Sequence, residues 1–212
     1  MNNAATRIHG LYGVTPDEAD TPLLLARVRA ALTGGMRLLQ YRNKLADAAL
    51  RRTQAAALCA LCHEYGAALI VNDHVDIALE VDADGVHLGG EDGSLAAARA
   101  KLGPGKLLGA SCYRDLENGA AAIAAGADHI AFGSFFRSPV KPSAVRSPFS
   151  LLTEARRRFG VPVVAIGGIT PDNAPQLIAA GAQSVAVITA LFGAADITAA
   201  ARQFSTLFEA QP

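Results

Sequence analysis

The 212-residue chain carries no excess of either charge, few cysteines and no long apolar run. Lys plus Arg is 19 and Asp plus Glu is 19, so no overall basic field draws the protein to nucleic acid or to an anionic membrane. Charges or glycines interrupt every apolar stretch before it reaches the length of a membrane helix. Residues 1–9 lack the apolar core of a signal peptide and are expected to form a flexible N-terminus, with a cytoplasmic location as the default. The three cysteines, Cys59, Cys62 and Cys112, are too few and odd in number for a disulfide framework. Cys59-Ala-Leu-Cys62-His63 has the spacing of a covalent haem attachment, but it lies in an Ala-rich amphipathic segment and reads better as two small buried hydrophobes. No Gly-x-Gly-x-x-Gly follows the first apolar run, which disfavours a doubly wound dinucleotide fold.

What is present is a hydrophobic chain, 51% apolar, large enough to bury one full core. Short apolar or β-branched runs alternate with Ala/Leu-rich segments, the pattern of βα units on a parallel sheet. The runs predict strands over 10–14, 38–42, 68–72, 85–88, 107–111, 129–133, 163–167 and 184–188. Helices are predicted over 23–32, 48–65, 75–80, 95–101, 116–125, 149–159, 174–180 and 197–208, with Asp172 as a cap for the seventh. Ile123-Ala-Ala-Gly126-Ala-Asp-His129 is repeated as Ile178-Ala-Ala-Gly181-Ala-Gln-Ser184, and more loosely as Leu79-Glu-Val-Asp82-Ala-Asp-Gly85. Gly126 and Gly181 fall where a helix C-terminus needs a left-handed residue. Eight such units in a single domain predict a (β/α)8 TIM barrel.

In such a barrel the C-terminal strand ends share one rim, where function gathers. Nearly every predicted strand end is polar or glycine. The second supplies Gln40, Arg42 and Lys44, which alternation puts on one face. The third supplies Asn72 and Asp73, the fourth Gly89 to Asp92, the fifth Ser111. The sixth runs through Arg137 to Lys141, the seventh ends in Gly167-Gly168, and the eighth in Ile188-Thr189. Arg42 and Lys44 suit a phosphate ester, more specifically a diphosphate. Asp73 and Asp92 suit Mg²⁺, which takes oxygen ligands and completes its shell with waters and ligand phosphates. Their plain alternative is to cap the helices that follow. Gly167-Gly168 allows backbone N–H groups to approach a second anion, and otherwise makes a tight turn. His87 lies inside a strand and reads as a packed histidine. His63, His74 and His129 have no evident partner in the sequence.

Taken in order, Gln40-Tyr41-Arg42-Asn43-Lys44, Val71-Asn-Asp73, Asp84-Gly-Val-His-Leu-Gly89 with Asp92, Gly109-Ala-Ser111, the loop to Lys141 and Ala165-Ile-Gly-Gly-Ile169 resemble the thiamine phosphate synthase family. The resemblance spans roughly residues 11–191. It implies condensation of hydroxymethylpyrimidine diphosphate with a thiazole phosphate, with or without its carboxylate, to thiamine phosphate and diphosphate. Loss of diphosphate would come first, assisted by Mg²⁺. By the same resemblance, Gln40, Tyr41, Arg42, Asn43, Lys44, Asn72, Ser111 and Lys141 contact the pyrimidine diphosphate, with Arg42, Lys44, Ser111 and Lys141 catalytic. Asp73 and Asp92 hold the metal, and Ser138, Pro139, Val140, Gly168, Ile188 and Thr189 hold the thiazole phosphate. The chain departs from the family pattern at Gly90, Arg137 and Val140, mostly on the thiazole side. The reaction needs no protein nucleophile, in keeping with the absence of a Ser-His-Asp or Cys-His set. Rival readings on the same barrel are the related thiazole tautomerase, a sugar-phosphate isomerase or epimerase, and a non-catalytic binding barrel. The expected partners are small molecules only; a homo-oligomer is compatible with the sequence.

Overall fold

The computed structural model describes residues 7–90, 92–137 and 145–209. Eight parallel strands close into a barrel in sequence order, β8 returning to pair with β1 through Gly10↔Ser184 to Gly13↔Val187. The strands are β1 (Gly10–Val14), β2 (Leu38–Tyr41), β3 (Ala68–Asn72), β4 (Gly85–Leu88), β5 (Leu107–Tyr113), β6 (His129–Gly133), β7 (Val163–Ile166) and β8 (Ser184–Val187). The helices are α1 (Thr21–Thr33), α2 (Ala48–Glu64), α3 (Val75–Glu80), α4 (Leu95–Leu102), α5 (Leu116–Ala124), α6 (Ser150–Arg158), α7 (Ala174–Ala179), the four-residue α8 (Thr189–Phe192) and α9 (Ile197–Glu209). Each predicted strand and helix is present within two residues of its expected bounds, and α8 is additional. Among the described residues no helix is long and apolar enough to cross a membrane.

Alternation along the strands divides the buried side chains in two. Tyr12, Val14, Leu38, Ala68, Ile70, Leu107, Ala131, Val164 and Ala186 form a cluster apart from the larger one, which includes Leu39, Tyr41, Leu69, Val71, Leu108 and Val185 together with the inward stripes of the helices. The first set fills the barrel; the second lies between sheet and helices. Asp20, Asp47, Ser94 and Asp115 start α1, α2, α4 and α5 by accepting backbone N–H bonds in the first turn. Asn173, not Asp172, is the residue before α7. Its amide is taken up in the preceding turn, accepting from Thr170 N at 2.9 Å and donating to Gly168 O at 3.1 Å.

The repeated segment is now explained. Gly126 and Gly181 have φ of 96° and 114°, and Asp82, at the matching position, has φ 54°. Two residues later Asp84, Asp128 and Gln183 each pair with the preceding strand through both backbone and side chain. Asp84 Oδ2 accepts from Leu69 N at 2.9 Å, Asp128 Oδ2 from Leu108 N at 2.8 Å, and Gln183 Oε1 from Val163 N at 3.1 Å. Of the stretch expected to be flexible, residues 1–6 lie outside the described residues, and residues 7–9 make tertiary contacts. Ile8 is fully buried in the barrel floor, Arg7 pairs with Asp84, and His9 stands edge-on to Phe208.

Candidate active site

Strand β2 stops at Tyr41 because the next residue leaves the ladder. Arg42 N donates to Thr15 Oγ1, and Thr15 Oγ1 donates back to Arg42 O, both at 2.8 Å. The Arg42 guanidinium then lies over the mouth, 3.5 Å from the Asp17 carboxylate, and Lys44 N donates to Asp17 Oδ1 at 2.6 Å. Asp17 and Thr15 hold both cations in place. Sequence reading did not single them out, although they sit in the loop that follows a strand end. The Lys44 ammonium is 4.0 Å from Asp73 Oδ2.

Asp73 follows β3 with φ 64°, a conformation disfavoured for any residue with a Cβ, and its N–H is held by His87 O at 2.9 Å. Burial, then the hydrogen-bonded Asp92 carboxyl and its charge, raise the Asp73 pKa to about 6, against the pull of Lys44 and Arg42. Asp92 reaches this position because its Oδ2 also accepts from Gly89 N at 2.8 Å, closing a turn. Neither Asp73 nor Asp92 is the N-cap of the helix after it; those positions are His74 and Ser94. Arg42, Lys44, Asp73 and Asp92 therefore share one electrostatic neighbourhood. A cavity of about 210 Å³ opens beside them, lined by Tyr41, Asn43, Lys44, Arg51, Asn72, Asp73 and His74.

Two expected ligand contacts, Tyr41 and Asn43, are hydrogen-bonded within the protein. Tyr41 falls on the outer face of β2 and its hydroxyl donates to Gln54 Oε1 at 2.8 Å. Asn43 is buried and donates to Glu18 O at 2.7 Å and Gln54 Oε1 at 3.0 Å, while its Oδ1 accepts from Ala46 N at 3.1 Å. Their polar atoms brace the loop, and both side chains line the cavity. Gln40 is inside the barrel, its amide donating to Tyr12 Oη at 3.2 Å. Ser111 is half-buried on β5 with His87 Nε2 at 2.9 Å from its Oγ. The neighbouring interior holds His129, and burial keeps both imidazoles neutral, pushing His87 down to about 4.

On the opposite part of the rim, Gly167 and Gly168 have φ of 106° and 64°, and a Cβ at Gly168 would overlap the Arg137 carbonyl. The pair thus serves close packing of the loop after β6 as well as the turn. Ile188 precedes α8 and Thr189 opens it. Ser138, Pro139, Val140 and Lys141 lie outside the described residues. Cys59 and Cys62 are buried on α2, and burial raises the Cys62 thiol to about 12, as for packed hydrophobes.

A family model described as thiamine monophosphate synthase matches residues 11–191. The thiamine-phosphate synthase of Aromatoleum aromaticum is 54% identical over 205 residues, covering 97% of this chain and 99% of that protein. That of Bordetella pertussis is 55% identical over 209 residues, covering 96% of each. The solved thiamine phosphate pyrophosphorylase from Pyrococcus furiosus superposes with a TM-score of 0.87 at 35% identity, covering 98% of both chains.

Proposed function

The chain belongs to the thiamine monophosphate synthase family, and we propose that this transferase of thiamine biosynthesis joins hydroxymethylpyrimidine diphosphate to a thiazole phosphate, releasing diphosphate. The observation that carries the reading is the crowding of Arg42, Lys44, Asp73 and Asp92 at one mouth, where burial and the neighbouring Asp92 disfavour the charge on Asp73. Two hydrogen-bonded carboxyls fit Mg²⁺, which is commonly held by one or two protein carboxylates together with substrate phosphates. Bound between Asp73 and Asp92, the ion would supply positive charge beside the diphosphate.

The remaining work falls to this chain's own side chains. Arg42 can fork onto two diphosphate oxygens, and Lys44 adds a point charge. As the methylene–oxygen bond breaks, its electron pair leaves with diphosphate, and these cations stabilise the growing charge. Gln40 and Asn72 orient the pyrimidine, and Ser111 donates to the diphosphate. Gly168, Ile188 and Thr189 place the thiazole phosphate so that the ring nitrogen's lone pair faces the methylene carbon and forms the new bond. Loops after β7 and β8 with a short extra helix are a recurrent phosphate position in this architecture. No protein base is required, since the attacking nitrogen carries no proton to remove. Incubation with both precursors and Mg²⁺ tests the reading. Thiamine phosphate and diphosphate should form in equal amounts, and binding of both precursors without either product would defeat it.

A further inference from the structure

Resting on that reading, we propose that His87 is a positioning residue that acts through Ser111. It donates its Nε2–H to Ser111 Oγ and so fixes the serine hydroxyl as a donor toward the pyrimidine diphosphate.

The barrel interior is mostly apolar, and its few polar side chains include Gln40, Ser184 and two histidines. His87 points into it from β4 and is 5% exposed; His129, from β6, is fully buried. The two rings are tilted against each other with centroids 5.6 Å apart, and Tyr12 stands edge-on to His129 at 6.1 Å. Gly109, between them on β5, makes room: a Cβ there would overlap both imidazoles. This gives Gly109-Ala-Ser111 a physical reason. Glycine admits the rings, and two residues later the same strand face presents the serine.

Hydrogen-bond satisfaction then sets the tautomer. Among the described residues His87 Nδ1 meets no donor or acceptor, whereas Nε2 is 2.9 Å from Ser111 Oγ. A neutral imidazole carries one N–H. Placed on Nδ1, that proton would be a buried donor with nothing to receive it, the rarer and costlier omission. Placed on Nε2, it is satisfied by Ser111 Oγ. The serine oxygen is then the acceptor of this bond, and its own proton is left to point at the ligand. Were the tautomer reversed, Ser111 would donate downward to the imidazole and offer the substrate only a lone pair. That would face phosphate oxygens with the wrong sign.

The test combines a spectrum with a double-mutant cycle. In ¹⁵N-histidine-labelled ligand-free protein, the His87 signals, identified by their loss in His87→Gln, should show a neutral ring protonated at Nε2; protonation at Nδ1 overturns the proposal. In steady-state kinetics, His87→Leu should lower kcat roughly 10- to 100-fold, the scale of one misplaced donor, with the KM for thiazole phosphate unchanged. His87→Gln, which keeps a donor, should recover most of that loss. In a Ser111→Ala background, His87→Leu should cost less than about twofold more, because its route of action is already gone. A loss that multiplies undiminished on Ser111→Ala would make His87 a packing residue only. The spectrum needs no turnover, so a protein that makes no thiamine phosphate but shows the Nε2–H ring fails the functional reading and not this one.

Discussion

The two ends of the barrel treat charge in opposite ways. At the floor, the acids of the repeated turns are all paired. Asp84 accepts from Leu69 N and pairs with Arg7 and with His63 at 3.0 Å; Asp128 accepts from Leu108 N and pairs with Arg99, which also reaches Gly126 O. Lys106 joins Asp82 and the Ala83 carbonyl, both at 2.6 Å. At the mouth, by contrast, Arg42 is 3.5 Å and Lys44 4.0 Å from the nearest carboxylates, and Asp73 faces Asp92 across a strained backbone. Both ends are built from the same kinds of residue. The floor uses its charges to tie strand to strand; the mouth leaves its charges more loosely paired around a cavity.

That contrast can be broken in four ways, from the largest expected effect to the smallest. Asp73→Asn should lower Mg²⁺-dependent kcat by about 10²–10³ while the melting temperature stays level or rises, since an acid–acid contact is relieved. Steady-state rates and a thermal melt on one sample check both halves, and a variant that loses stability instead would move Asp73 to the floor's class.

The interior histidines should respond to acid. An unfolded histidine takes its proton near 6.5 and His87 only near 4. Between those values the unfolded state binds more protons, so stability is complete above 6.5 and is lost as the pH falls toward 4. The loss should be on the order of 2–3 kcal/mol for His87, with His129 acting in the same direction. Urea unfolding of wild type and His87→Gln at pH 7, 5.5 and 4.5 measures the difference, and parallel curves would contradict a neutral buried ring.

At the floor, Asp128→Ala should reduce unfolding free energy by about 1–3 kcal/mol, the cost of leaving a buried N–H without its acceptor. Activity per folded molecule should be unchanged; a rate defect at full folding would erase the division between the two ends. Cys59→Ala with Cys62→Ala should change turnover by less than about twofold, within the range of surface-neutral substitutions. A haem or zinc signal lost with the cysteines would reverse their assignment as packing residues.

Where the sequence was readable, a local rule did the work. Alternation along residues 38–42 put Gln40 and Arg42 on one face, and the same rule, applied to Tyr41, would have placed it outside the barrel, as the structure does. The bracing role of Asn43 was not readable in this way: its partners Glu18 and Gln54 are brought to it from elsewhere in the fold. Asp17 escaped for the same reason, its task being defined by Arg42 and Lys44, which lie 25 and 27 residues further on. The short α8 was too brief for any periodicity to register, and it begins where Ile188 turns out of β8.

By itself, then, the sequence determined the eight βα units, their order, and the end of the barrel at which polar residues collect. Period-two alternation, helix-stopping glycines and an internal repeat are local properties that each segment carries wherever it is placed. Only the tertiary structure decided which of those polar groups stay available. Closing the barrel matches His87 with Ser111, Asn43 with Gln54 and Asp84 with Leu69, and a hydrogen bond depends on the separation of two atoms that no single segment contains.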